Sequence, residues 1–476
     1  MKSENLISGL KWSFLERAAV IVLQIALEIL LARLLLPSDY GLLGMIAVVI
    51  AVSNVFVDGG FSNALIQFQD RTENDESVVF YLSLLIGVAG YGVLFFTAPA
   101  LSNFFEQDLT LLLRILGIGI IFNAFGVLYR ARMVISLNFK KQTLYSALSM
   151  AVSGIVALGM AYGGFGVWAL VVQMLIYSFL FNFFLFNHFW TVPYWGLQRA
   201  ALKRMLGFGS KIFVSSVIHA VYFNAYPILL GRLYSAPAVG LYTKANQLTV
   251  FPAGLFSSVL QRVLFPYLSA IQSDRAVVYG YHLKVVKWYS LIVFPLAALV
   301  ISYAEPLILW LMSDRWRELV LPLQILLSAA VFFPIIILNM NIFQVLGKGG
   351  LFLRTEILTK VIGIAILFFT FRHGFIILCL GILLQTLIQF LITSVISSKI
   401  LGSNSVGLFF TVLTILFFSL LSSGVLWYLS DTMTLSAIWA ALLGIVVFMG
   451  LYLLLICYFY ARDISEMMVL LKNALR

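Results

Sequence analysis

Apolar runs of about 20 residues, separated by short polar breaks, recur along the whole chain. Runs of that length read as bilayer spans, and none shows the period-two alternation of barrel strands. Helices are then the only spanning structure, because backbone in lipid must satisfy its polar groups within its own segment. About fourteen runs follow from this rule, centred near Gln24, Val49, Ile86, Gly119, Val152, Tyr177, Val217, Leu260, Pro295, Ile335, Ile364, Leu384, Phe417 and Val446. The pattern predicts an all-α integral membrane protein of about 14 transmembrane helices.

The pattern also repeats. Shifted by 199 residues, LLARLLLPSDYGL (Leu30–Leu42) lies over LLGRLYSAPAVGL (Leu229–Leu241). Leucine matches are common between apolar segments, so Arg33 over Arg232 and Gly41 over Gly240 carry the signal. The period covers six spans. An even number gives the second half the orientation of the first, related by an axis along the membrane normal. This predicts two pseudo-symmetric six-helix lobes, at 1–200 and 201–401, with an extra helical hairpin and cytoplasmic tail at 402–476. Two such lobes around a cleft are a transporter plan.

Composition agrees: 62% of residues are hydrophobic, 10% are charged, and mean hydropathy is +1.05. No polar stretch is long enough for a soluble catalytic domain, so an enzyme is not expected. The N-terminus does not read as a cleavable signal, since charges interrupt its apolar run and no small-residue site closes it. Cys379 and Cys457 fall inside predicted spans and read as packing residues, not as a disulfide or metal pair; no metal and no cofactor are expected. The absence of a G-x-x-x-x-G-K-[ST] run argues against direct ATP drive.

The net charge of +11 raises nucleic acid as a partner, but its distribution argues otherwise. With the N-terminus inside, 21 of the 30 Lys and Arg residues fall on inner segments, among them Arg130, Arg132, Lys140 and Lys141. Six fall on outer segments, Lys244 among them. That bias places both termini in the cytoplasm and accounts for the basic charge. QDRTENDE (Gln69–Glu76) reads as a solvated inner loop. The aromatic content reads as interfacial belts and lipid-facing rings rather than a sugar-stacking surface.

The first span breaks the apolar rule. On a helical wheel Ser13, Arg17, Gln24 and Glu28 fall within about 60° of one another, with Glu16 on the margin. A cation inside a span costs about 2.5–3.5 kcal/mol unless it meets a partner or water. The stripe therefore predicts a helix lining a wet cleft. In the second half, Lys211, Ser215 and His219 recur at helical spacing after Gly207 and give a matching seam. Arg17 and Lys211 near the inner mouth, with Arg262 late in the eighth span, suit an anionic ligand such as a pyrophosphate. Blander roles stand beside these. Arg17 and Lys211 can snorkel to headgroups, Glu28 can pair with a neighbouring helix, and His219 can be an interior hydrogen-bonding residue. Arg33 and Arg232, at helix ends, read as corner anchors, and Asp58 as a cap of the Gly-Gly turn after it.

Several motifs, in order, carry a resemblance. LARLLLPSDYGLLGM and VDGGFSNALIQ (Val57–Gln67) are followed by YRARMVISLNFKK (Tyr129–Lys141), GGFGVWALVVQ (Gly163–Gln173) and VLFPYLS (Val263–Ser269). FPLAALVISYAEPLILWLM then precedes Trp316. Together they resemble the Wzx-type polysaccharide flippases, in the branch of teichuronic-acid and colanic-acid exporters. These belong to the multidrug/oligosaccharidyl-lipid/polysaccharide exporter superfamily. The resemblance implies a multi-pass protein of the bacterial cytoplasmic membrane. Its substrate would be an undecaprenyl-pyrophosphate-linked glycan, flipped by alternating access for surface polysaccharide export. Membrane lipids, a polysaccharide polymerase and glycosyltransferases are the partners to expect.

On this reading Arg17, Lys211 and Arg262 attract the pyrophosphate, and Gln24, Glu28 and His219 line the seam for the sugars. Glu16, Glu28 and His219 are the titratable groups available for ion coupling. Two alternatives stay open. A cation-coupled drug or metabolite antiporter of the same superfamily would favour carboxylates over the basic inner mouth seen here. A membrane polysaccharide polymerase would be expected to carry a large outer loop, and here the outer loops are short.

Overall fold

The computed structural model describes residues 23–196, 198–432 and 443–460. Within its helices it describes the backbone but not the side chains of 211, 222, 223, 251, 255, 258–260, 262, 263 and 426–432. Among the described residues there are helices and no strands. The chain runs through α1 (residues 23–34), α2 (Pro37–Asp58), α3 (Phe61–Gln67), α4 (Glu73–Phe105), α5 (Thr110–Ile135), α6 (Phe139–Tyr162) and α7 (Val167–Phe189). It continues through α8 (Arg199–Phe223), α9 (Ala225–Leu233), α10 (Ala236–Ala270), α11 (Arg275–Ser302) and α12 (Ala304–Leu311). A 3₁₀ turn at Asp314–Leu319 leads to α13 (Val320–Ala330), α14 (Phe333–Val345), α15 (Gly349–Thr370), α16 (Phe375–Ile400), α17 (Val406–Thr432) and α18 (Leu443–Tyr460).

Local chemistry sets many of the boundaries. Pro37 stands at the first helical position of α2, where its fixed φ helps and its missing N–H costs nothing. Thr72 and Asp75 cap α4 reciprocally, and Asp274 caps α11 through the N–H groups of Ala276 and Val277. Gly59 and Gly60 take left-handed conformations that break α2 from α3.

Among the described residues ten stretches of helix are long and apolar enough to cross a membrane, and an eleventh results if α8 and α9, bent by 40°, count as one span. This is an integral membrane protein. The three remaining expected centres, Gln24, Leu260 and Ile364, fall in α1, α10 and α15, which do not meet that criterion over the described residues. Near its start α15 carries three charges, Arg354, Glu356 and Lys360.

The chain divides into two compact units. One takes the described residues up to Thr243 together with Leu311–Trp316; the other takes Lys244–Trp310 and the described residues from Arg317 onward.

In the first unit the repeat becomes a contact. A Cβ on Gly41 would lie 1.7 Å from the Ala236 carbonyl oxygen, and one on Gly240 would lie 1.8 Å from that of Pro37. One offset of 199 pairs Pro37 with Ala236 and Gly41 with Gly240, so the two contacts are each other's image. Gly44 meets Thr243, its own repeat mate, with a Cβ-to-Cγ2 approach of 3.1 Å. Small residues let the starts of α2 and α10 cross backbone to backbone, the usual way helices associate where lipid supplies no hydrophobic drive.

The second unit packs α11, α13, α14, α16, α17 and α18 around Phe294, Phe332, Ile335, Phe343, Phe390 and Leu408. The Tyr289 hydroxyl donates to the Val331 carbonyl at 2.9 Å, and that of Tyr452 on α18 donates to the Leu291 carbonyl at 2.8 Å. The first bond ties α11 to the junction of α13 and α14, and the second fastens α18 to α11. Cys379 is buried, Cys457 is exposed, and both are free thiols.

Candidate functional site

The expected cleft residues are placed as follows. Arg17 and Glu16 lie outside the described residues, as do the side chains of Lys211 on α8 and Arg262 on α10. Gln24 and Glu28, one turn apart on α1, are half-buried, while His219 on α8 is exposed. α8 is seated on the first unit by a glycine contact. A Cβ on Gly60 would lie 2.5 Å from the Gly209 carbonyl oxygen. Phe213 and Phe208 flank that point with edge-on and tilted contacts to Phe56 and Phe68. The VDGG motif is thus where α8 crosses, two residues before Lys211. Beside it the Ser62 hydroxyl donates to Asp58.

A second polar group is built entirely inside the first unit, on α2, α5 and α7. Arg130 on α5 had read as part of a basic loop. Its guanidinium instead turns back along its own helix, donating from Nη2 to the Asn123 carbonyl at 2.8 Å and from Nη1 to Asn182 Oδ1 at 2.7 Å. Ser178 Oγ donates to Asn123 Oδ1 at 2.8 Å, and Asn123 Nδ2 donates to Asn54 Oδ1 at 3.2 Å. Asp58 is the acidic group that acts on Arg130 electrostatically. Gly126 makes the room: a Cβ there would sit 1.6 Å from Asn182 Oδ1 and 2.6 Å from Arg130 Nη1. Charge-assisted hydrogen bonds to neutral amides make such a placement tolerable for a cation. The signal in the sequence was the run Asn123, Gly126, Arg130 on one helical face.

The second unit holds a neutral counterpart. His282, fully buried on α11, meets Asn339 Oδ1 at 3.0 Å. Asn339 Nδ2 donates to Ser394 Oγ at 2.9 Å and Thr393 Oγ1 at 3.2 Å. With the amide nitrogen committed to the hydroxyls, its oxygen faces the imidazole and sets Nε2 as the protonated nitrogen. Lys244, which the charge count places on an outer segment, lies buried on α10, its amine 3.5 Å from Gln247 Oε1. Among the described residues no group of three or more His, Cys, Asp or Glu side chains could hold a metal ion.

Three of the quoted motifs, those of Pro37–Gly41, Gly163–Gln173 and the segment ending at Trp316, meet at one corner of the first unit. Trp316 Nε1 donates to the Ala32 carbonyl at 2.7 Å, Arg33 Nε to that of Leu311 at 2.7 Å, and Arg315 to that of Leu34 at 3.2 Å. The Tyr40 ring stands edge-on to Trp316 at 5.3 Å. Asp39 accepts the Leu36 N–H at 2.9 Å, and Gly166 lies against its carboxylate. Arg232, the repeat mate of Arg33, pairs with Glu106. Both arginines therefore anchor corners. The acidic run Gln69–Glu76 is more than a solvated loop: Arg204 binds Asp70 and reaches Asp75, and Arg132 binds Glu76. The Arg204 guanidinium holds the exposed Asp70 carboxyl below its ordinary range.

Comparison with known proteins gives this architecture a family. Over 350 residues the chain is 26% identical to the teichuronic acid biosynthesis protein TuaB of Bacillus subtilis (strain 168), covering 73% of this chain and 72% of that one. Its fold matches that of the lipid II flippase MurJ in an inward closed conformation, with a TM-score of 0.76 at 16% identity, over 95% of this chain and 99% of that chain. It also matches an inward-facing multidrug resistance MATE family transporter of the MOP superfamily, with a TM-score of 0.61 at 15% identity, over 80% and 94%. At those identities the structural likeness shows the fold alone. The family model described as "Polysaccharide biosynthesis protein" matches residues 30–321, more than half of the chain. The chain belongs to that family of polysaccharide biosynthesis membrane proteins.

Proposed function

We propose that this protein flips undecaprenyl-pyrophosphate-linked oligosaccharide repeat units across the bacterial cytoplasmic membrane for surface polysaccharide export. The family match over residues 30–321 carries the reading. Polar side chains at bilayer depth in a fold shared with a lipid-linked precursor flippase support it. The pyrophosphate is drawn to Arg17, Lys211 and Arg262. The sugars pass along the stripe of Gln24 and Glu28 and the facing His219, while the isoprenoid tail stays in lipid. Alternating access of the lobes at 1–200 and 201–401 moves the headgroup, with both termini in the cytoplasm. Glu16, Glu28 and His219 are the groups through which an ion gradient would couple.

The test is reconstitution. Proteoliposomes carrying the purified protein and a fluorescent undecaprenyl-pyrophosphate oligosaccharide should expose label from the inner to the outer leaflet faster than protein-free vesicles. Arg17→Ala should abolish the difference while inserting normally. Equal rates with and without protein would overturn the proposal. The MATE likeness favours one second reading, a drug or metabolite antiporter. Efflux of a cationic dye by the same vesicles, without movement of the glycan, would establish it. Elongation of a lipid-linked acceptor would instead establish a polymerase.

A further inference from the structure

The segment 190–196, between α7 and α8, is an ordered strap. Trp190 takes a left-handed backbone conformation, φ 46°, that a bulky residue adopts only under constraint. Its N–H donates to the Phe186 carbonyl at 2.7 Å as α7 ends. The Tyr129 hydroxyl then holds the Thr191 carbonyl at 3.1 Å, and the Tyr81 hydroxyl holds that of Pro193 at 2.8 Å. Arg132 donates to the Thr191 hydroxyl at 2.5 Å, and the Tyr81 and Trp195 rings meet edge-on at 4.5 Å.

These bonds fasten the strap, with the Trp190 ring resting on Phe186 at 5.6 Å and the Trp195 ring on Tyr81, while much of their surface stays exposed. Trp190 is 70% exposed, Trp195 75% and Val192 58%. Such exposure of tryptophan needs a covering. The strap starts one residue beyond α7, a helix of membrane-spanning length, which puts it at headgroup depth. Tryptophan at that depth lies with its ring among the acyl boundary and its N–H in the headgroups. Charge completes the pattern. Of the acids at this end, Asp70, Asp75 and Glu76 are taken up by Arg204 and Arg132, and Glu73 is exposed. Arg199 and Lys203, on the first turns of α8, are exposed, as is Lys141 at the start of α6. The outward surface thus joins aromatic rings to cations, with three of the four acids beside it paired.

We propose that the strap and the start of α8 form a binding surface for anionic glycerophospholipids, with Arg199 and Lys203 holding the phosphates and Trp190 and Trp195 seated between acyl chains. The proposal uses none of the residues assigned to the glycan and stands whether or not the flipping assignment does. Because the strap leads directly into α8, a lipid held there fixes the point from which α8 departs.

Native mass spectrometry of the full-length protein in detergent, titrated separately with phosphatidylglycerol and phosphatidylcholine, tests this. Wild type should retain phosphatidylglycerol preferentially, and the preference should vanish at high salt. Arg199→Gln with Lys203→Gln should cut it at least about tenfold, since each cation close to an anionic surface is worth about a factor of five. Trp195→Ser should weaken retention of both lipids. Hydrogen exchange of wild-type protein in nanodiscs gives a reading that needs no variant: residues 190–196 should exchange more slowly when phosphatidylglycerol is present. Equal retention of the two lipids, a charge variant that keeps the preference, or exchange indifferent to phosphatidylglycerol would overturn the proposal.

Discussion

Arg130 shows how one side chain depends on the absence of another. Its guanidinium reaches Asn182 and the Asn123 carbonyl through space that a methyl group on Gly126 would occupy. Gly126→Ala should therefore destabilise the protein by about 1–3 kcal/mol, the usual range for overpacking, read as a lower unfolding temperature in detergent. Arg130→Lys should also destabilise it, since an ammonium cannot match the planar fork that serves both acceptors. Along the chain Asn123, Gly126 and Arg130 share one helical face, but nothing there shows that the face turns inward. Arg130 stands in a run of cations, YRARMVISLNFKK, and such a run reads as a loop facing water; its inward turn is a tertiary fact created by Gly126 and α7. Nor was the burial of Lys244 legible, since a single cation on a helix gives no sign of which way it points. The Asp70–Arg204 pair yields a prediction of opposite character, exposed and pH-dependent. Asp70 titrates below its ordinary range. Its contribution is present above about pH 4 and is lost as pH falls through the lowered folded value. The stability difference between wild type and Asp70→Asn should shrink on acidification from neutral pH to about pH 3. A difference that stays constant with pH would remove the pair from the account.

The corner elements combine what the sequence suggests with what it hides. The repeat was visible as Arg33 over Arg232 and Gly41 over Gly240. That the two copies touch each other was not, because sequence similarity is silent on contact. The physical demand on the glycines is severe, since the clashing atoms are backbone carbonyls of Ala236 and Pro37, which cannot rotate aside. Gly41→Ala and Gly240→Ala should each separate the starts of α2 and α10. By symmetry their losses should be similar, about 1–3 kcal/mol each, measured as matched falls in thermal stability. Losses confined to one of the two would break the reciprocal contact inferred here. Trp316→Phe keeps the ring against Tyr40 but removes the donor to the Ala32 carbonyl. It should cost about 1–3 kcal/mol, the price of leaving a buried acceptor unmet.

Taken over its full length, the chain announced its class early. Apolar runs about 20 residues long define membrane helices almost without regard to which residues fill them, so every expected centre fell on a helix. Span counting is less secure where polar residues enter the helices, as in α15 with Arg354, Glu356 and Lys360. The family followed from ordered motifs, and the structure gives some of them a physical reason: PSDYG, GGFGVW and the segment ending at Trp316 converge on one corner.

The central claim concerns which leaflet the precursor occupies. In a strain lacking this protein, with the polymer's glycosyltransferases intact, undecaprenyl-linked glycan should accumulate on the cytoplasmic face, shielded from a membrane-impermeant glycosidase added to intact spheroplasts. Restoring the wild-type gene should return it to the enzyme's reach, and Arg17→Ala should not. Precursor equally open to the glycosidase with and without the protein would contradict the account.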